Sequence, residues 1–333
     1  MFSKIKNSAV FRSVILPLIP MFLWGSLFPF VKIGYDAFSI DSSSIPDIIM
    51  FAAMRFTVCG IIVSVIAAVK RDKIQTPKWK GIGAILIMGL FSIVLHYAFT
   101  YIGLSGTDSS KTALLKQLGS LFYICFAFLF IKDEKFSVYK IIGAVIGFAG
   151  IIAINFTGGA VSFSLGDILI ILASVCSVIS SIISKACVKG SSPMWITGIS
   201  QFSGGIILFV AALIMGGNML TFNWKSLLVF AYICTASIIA YVLFCHLQKT
   251  ASNSHLFIIK FAEPLFACIM GAILLGENIF KLQYLFAFIL ISAGIIIGNK
   301  GAANAVTEGE EGEEENSSEE ENAAEEFSSG EIR

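Results

Sequence analysis

The sequence predicts an all-α membrane protein of ten transmembrane helices, arranged as two inverted five-helix repeats. Three observations lead there: a composition that cannot build a water-soluble surface, a series of apolar runs each long enough to cross a bilayer, and an internal repeat. Apolar residues make up 56% of the 333 residues without counting 29 Gly, and charged residues only 14%, against about 25% in an average soluble domain. Mean hydropathy is +0.86.

A helix needs roughly 20 apolar residues to cross about 30 Å of hydrocarbon. Cutting the chain at its polar and turn-forming breaks gives spans at 14–38, 46–69, 80–104, 107–131, 137–156, 166–188, 193–216, 224–248, 252–276 and 281–299. The first starts behind Lys4, Lys6 and Arg12 and runs past Pro17 and Pro20, too long for a signal-peptide core. Loops between spans are short, so no soluble domain interrupts the bundle.

The net charge of +1 hides an uneven division, because the stretch 306–333 holds 12 of the 22 acidic residues and one of the 23 basic ones. With the N-terminus placed inside, the cytosolic segments collect 15 Lys and Arg residues, and the opposite loops hold only Lys225 and Lys281. The positive-inside rule therefore puts both termini in the cytoplasm of a multi-pass protein of the plasma (inner) membrane. The tail 305–333, rich in Glu, Gly, Ser and Asn, cannot build a core and is expected to be a disordered acidic cytosolic segment. Nothing points to nucleic acid. Seven cysteines lie in apolar runs without a C-x-x-C pair and read as small apolar filler, not a disulfide or zinc framework.

Sliding the second half over the first by 144 lays 92–133 on 236–277 without a gap. Tyr97 then falls on Tyr241, Ser110 on Ser254, Lys116 on Lys260, Leu121-Phe122 on Leu265-Phe266, and Asp133 on Glu277. A half of five spans is odd, so the second copy must traverse the bilayer in the opposite sense. Inverted repeats are typical of secondary transporters that rock two halves around a midplane site. The halves are expected at 14–156 and 166–299.

Leu23-Trp24-Gly25-Ser26 opens the first span and Ala53-Met54-Arg55-Phe56 marks the second. Each half closes with acidic residues before a Gly-rich span: Asp133-Glu134, then Gly143 and Ala149-Gly150; Glu277, then Ala293-Gly294. In their order and duplication these features resemble the drug/metabolite transporter superfamily, specifically tandem EamA-type domains, over roughly residues 14–299. That resemblance implies a ten-helix bundle and export or exchange of a small metabolite. The stretch Ile259-Lys260-Phe261-Ala262-Glu263-Pro264 is also similar to the Ile-Lys-x-x-Glu-Pro run of triose-phosphate translocators, whose lysine contacts phosphate.

An ionisable group at the bilayer centre costs about 2.5–3.5 kcal/mol on insertion scales, so each needs a partner or a purpose. Arg55, Lys116, Lys260 and Glu263 all fall near mid-span. Lys260 and Glu263, at i and i+3, could neutralise one another, and Arg55 could bond helix ends or carbonyls. Lys116 has Thr112, Ala113, Gly119 and Ser120 at i±3 and i±4 and so lacks a carboxylate on its own helix. It is the leading candidate for a ligand contact. The summed charge favours an anionic or zwitterionic solute.

Trp24, His96, Tyr97, Tyr241 and Gln201 are further candidates to line the cavity, with ordinary helix packing the alternative for each. The run Ser174, Ser177, Ser180, Ser181 and Ser184 reads as small residues that let helices approach closely. Glu134 and Glu277 sit at opposite membrane faces and are expected to cap helices or tie gates; Pro29 and Pro264 could supply kinks.

No H-E-x-x-H, G-x-S-x-G or paired-aspartate pattern is present, so no enzyme, metal site or cofactor is expected. The expectation is a secondary transporter or exchanger in the lipid bilayer that exports a small-molecule solute by alternating access. Protons as coupling ion and a homodimer are left open. Two rivals remain: a scaffold or sensor whose tail recruits a cytosolic partner, and a lipid flippase-like protein.

Overall fold

The computed structural model describes residues 15–70, 79–126, 129–130, 138–157, 160–161, 163–188, 191–250, 256, 259–260, 262–279, 282–294 and 296–297. The acidic tail, Glu134 and most of the basic residues that set the expected orientation lie outside them. The described chain is helical apart from a two-residue antiparallel ribbon pairing Phe156–Thr157 with Ala160–Val161.

The helices are α1 (Leu16–Ala37), α2 (Ile45–Val69), α3 (Trp79–Gly89), a π-helical turn (Leu90–Leu95), α4 (His96–Ser105), α5 (Ser109–Leu115), α6 (Leu118–Phe126), α7 (Val138–Asn155), α8 (Leu165–Cys187), α9 (Pro193–Ile214), α10 (Trp224–Thr250), α11 (Ala262–Leu275) and α12 (Leu282–Gly294). Six stretches are long and apolar enough to cross a membrane: 16–37, 45–69, 81–105, 165–187, 193–214 and 224–249. The remainder are shorter apolar helices.

Local chemistry explains the ends. Pro17, Pro46 and Pro193 occupy first-turn positions, where a missing N–H costs nothing. At α8, Ser164 and Asp167 form a capping box: Asp167 N–H donates to Ser164 Oγ at 3.1 Å and Ser164 N–H to Asp167 Oδ2 at 2.8 Å. Ser164→Ala is expected to lower stability by about 1 kcal/mol, read as a lower thermal unfolding midpoint in detergent; an unchanged midpoint would show that Asp167 alone holds the helix start.

Two expected continuous spans are broken. The span at 107–131 is divided at Lys116–Gln117, where Gly119 N–H donates to the Lys116 carbonyl at 3.0 Å. The span at 252–276 turns at Lys260, and α11 follows from Ala262, its first-turn Glu263 N–H donating to the Lys260 carbonyl at 3.1 Å. Pro264 therefore stands in the first turn of α11, not in a helix interior, and marks a helix start where a kink was expected.

Glycines set the closest crossings. On α2 and α9, a Cβ on Gly60 would run into the backbone of Phe202, and one on Gly205 into the backbone of Thr57. On α7 and α12, a Cβ on Gly150 would meet the Ala287 carbonyl and Ile291, and one on Gly294 the Gly143 carbonyl and Gly147. The main core gathers buried side chains of α1, α2, α4, α9 and α10, with Phe51, Phe56, Ile48 and Met50 wholly shielded.

Candidate functional site

The helix breaks place charge inside the bundle. Lys116, at the first break, sets its Nζ 4.9 Å from the centroid of the Phe28 ring, and Lys260, at the second, sets its Nζ 5.8 Å from the Trp24 ring. Trp24 and Phe28 are one turn apart on α1, so the two ammonium groups stand against one wall. Gly25 allows this: α11 comes so close that a Cβ there would be 2.6 Å from the Glu263 carbonyl.

Between these elements lies a cavity of about 100 Å³ lined by α1, α2, the π-turn, α4, both breaks, α8 and α10. Trp24, Arg55, His96, Tyr97, Lys116, Tyr241, Lys260 and Glu263 are all among its walls. Eight of the nine residues singled out in the sequence are thus brought together. Gln201 is the exception. It lies on α9, wholly buried, both amide atoms lack a hydrogen-bond partner, and it is not part of the cavity wall. Its expected place in the lining is corrected by the tight α2–α9 crossing, which draws its stretch of α9 against α2.

The cavity residues differ in how they are held. Arg55 is wholly buried, with Nε donating to Ser237 Oγ at 3.0 Å and further donors on Ser237 and the Tyr101 hydroxyl. Its Cζ lies 4.6 Å from the Phe56 ring centroid and 5.3 Å from that of Tyr97. Such cation–π contacts offset part of the cost of burying the charge. Arg55 thus ties α2 to α4 and α10 through side chains, instead of the helix ends or carbonyls expected for it.

Lys116 is different. Among the described residues its Nζ has neither an ion-pair nor a hydrogen-bond partner, although Glu263, Lys260 and Arg55 are near enough to act on its charge. Glu263 itself is almost wholly buried. His96 Nδ1 is 2.8 Å from the Ala173 carbonyl, which can only accept, so Nδ1 carries the hydrogen. At the centre, Tyr241 Oη donates to Tyr97 Oη at 2.8 Å.

Sequence reasoning missed the hydroxyl wall of α8. Ser177, Ser180, Ser181 and Ser184 line the cavity, while Ser174 alone of the run packs at the Lys116 break, beside Gly119. Ser180 and Ser181 donate back to the Ser177 carbonyl at 2.9 and 2.8 Å, which leaves their lone pairs as acceptors. Gln248 was also missed; its Oε1 accepts from Ser184 Oγ at 2.8 Å, and its backbone carbonyl accepts from Lys185 Nζ at 2.9 Å. Its spacing from Tyr241 and Cys245 on one face of α10 was the available signal. The wall as a whole can hold a small polar solute: three cations, one carboxylate, aromatic faces and a row of hydroxyls. Among the described residues no cluster of His, Cys, Asp and Glu could hold a metal ion.

Comparisons with known proteins agree. The chain is 25% identical over 291 residues to the inner membrane transporter YedA of Escherichia coli (strain K12), covering 84% of this chain and 91% of that one. It is 23% identical over 283 residues to the S-adenosylmethionine/S-adenosylhomocysteine transporter of Chlamydia muridarum (strain MoPn / Nigg), covering 80% and 85%. A solved crystal structure shares the fold, with a TM-score of 0.61 at 14% identity over 86% of this chain and 96% of that one. The EamA-like transporter family model matches residues 11–156 and again 164–299. By that double match the chain belongs to the EamA-like transporter family, within the drug/metabolite transporter superfamily.

Proposed function

We propose that this transporter is a secondary carrier or exchanger that moves a small anionic or zwitterionic organic solute outward across the inner membrane by alternating access. In this reading ten spans form two inverted halves, 14–156 and 166–299, both termini are cytoplasmic, and the solute binds between the halves. The observation that carries it is the pairing of Lys116 and Lys260, equivalent under the 144-residue offset, at two helix breaks in the wall of one cavity. Broken helices at mid-depth are the usual construction of substrate sites in inverted-repeat carriers.

Reciprocal contacts support the two-fold. If residue i meets j across a two-fold, the mate of j must meet the mate of i. Gly60 meets Phe202 and Gly205 meets Thr57, both at an offset of 145. Gly150 meets Ala287 and Ile291, and Gly294 meets Gly143 and Gly147, all at an offset of 144. Tyr97 bonds its own mate, Tyr241. A cavity with ionisable walls inside the bundle is what a solute carrier needs and a scaffold does not. The likeness to an S-adenosylmethionine/S-adenosylhomocysteine transporter fits a solute bearing an amino-acid zwitterion.

The test is a thermal-shift screen of purified protein against amino acids, organic acids, phosphorylated metabolites and cationic dyes, followed by uptake of each hit into proteoliposomes. A ligand selective for the folded state must raise the unfolding temperature. Anions or zwitterions should both stabilise and be transported. Stabilisation and transport of cationic dyes alone would overturn the substrate class.

A further inference from the structure

Arg55 reaches across to Ser237 at mid-bundle, and a further set of charged links between residues 16–126 and residues 163–294 gathers at one end of the bundle. This is the end where α4 stops and α5, α8 and α12 begin. There Glu277 receives Ser109 N–H at 2.9 Å, Ser110 N–H at 3.0 Å and Ser110 Oγ at 2.6 Å. Lys111 Nζ pairs with Asp167 Oδ2 at 2.9 Å. Tyr284 donates to Asp108 Oδ2 at 3.2 Å, and Asn218 N–H to Asp47 Oδ1 at 2.7 Å. Beneath them, Tyr101 is both a wall of the cavity and part of an aromatic layer with Tyr35, Phe38, Phe51 and Phe230.

The opposite end differs among the described residues. The cavity reaches Ser184 and Gln248, within one turn of the ends of α8 and α10, and the Lys185–Gln248 bond stays within one half. Glu277 is built into its place. The space that a Cβ on Gly271 would fill is taken by the Glu277 carboxylate, 2.8 Å away, and by Ser110 Oγ at 3.2 Å.

We infer that Glu277 is the latch of the outer gate: its carboxylate clasps the first turn of α5 and holds the two halves shut at this end, and it must release once per transport cycle. The inference rests on the alternating-access reading and adds the residue that decides which end is closed. Three hydrogen bonds to one carboxylate form a strong link while both partners are in place. They are lost together when the halves separate, which makes the closed state discrete.

The experiment reads accessibility, so it needs no knowledge of the solute. In full-length protein whose native cysteines are replaced, Ser181→Cys provides one cavity thiol, and a membrane-impermeant maleimide is applied to each side of sealed vesicles. With Glu277 intact, labelling should come mainly from the Gln248 end. Glu277→Gln should raise labelling from the Glu277 end at least fivefold. Gly271→Ala should do the same without altering charge, because its methyl displaces the carboxylate. Unchanged labelling in both variants, in protein that remains monodisperse, would overturn the latch. A short bismaleimide bridging Ser109→Cys and Glu277→Cys should arrest uptake of the solute found in the screen; full uptake by the bridged protein would also overturn it. Labelling that shifts as expected while no solute is carried would instead reject the transport reading and leave the latch standing.

Discussion

Replacing Lys116 with Gln is expected to abolish anion binding while leaving the unliganded protein at least as stable as the parent. The ammonium lies against Phe28 with neither an ion-pair nor a hydrogen-bond partner among the described residues. Removing it therefore orphans no acceptor and relieves the cost of holding a charge out of water. A bound anion, by contrast, loses a charge-assisted contact in a shielded site, a change worth about 2–5 kcal/mol, which is about thirtyfold to several thousandfold in affinity. Two measurements on the same protein separate this from a structural role. Solute titration should show the loss, and thermal unfolding without solute should show none. If the variant unfolds at a lower temperature yet binds anions as before, Lys116 is part of the scaffold.

Gly60→Leu is expected to be the most damaging single change to the fold. A Cβ at Gly60 points into the Phe202 backbone, which cannot rotate aside as a side chain would, so α2 and α9 must part. Overpacking typically costs about 1–3 kcal/mol, and a backbone obstacle belongs at the upper end. Gly60→Ala and Gly205→Ala should each destabilise as well, but not additively. Both methyls open the same crossing, so the double variant should lose less than the two single losses together. Thermal unfolding of the three proteins in one detergent tests this. Strict additivity would show that the two contacts are independent.

Composition and spacing made most of the helices legible, because a bilayer imposes one length on every span and leaves few polar residues to mark the ends. Six of the expected spans reappear within two residues as long apolar helices. The breaks at Lys116 and Lys260 were not legible. Sequence shows a lysine inside an apolar run, but whether the helix yields there depends on what packs around it: Ser174 beside Gly119 in one case, α1 folded onto Glu263 in the other. Of the candidate site, the charged and aromatic residues were readable because burial makes them costly and hence conspicuous. The serines of α8 were not, since a hydroxyl at helical spacing serves a close helix contact and a polar cavity wall equally well. Gln201 misled for the opposite reason. A buried amide usually signals a binding role, and here it lies within the tightest crossing of the bundle.

The bond between Tyr97 and Tyr241 has one further consequence. Under the two-fold exchange proposed above, a pair of mates in contact lies on the axis itself, and points on an axis keep their position when the halves trade roles. A hydrogen bond between two identical hydroxyls is nevertheless directional, and here Tyr241 donates and Tyr97 accepts. Exchange of the halves turns that arrow around. The donor of that bond would then differ between the two facing states, a difference visible in the phenolic C–O stretch of a single isotope-labelled tyrosine.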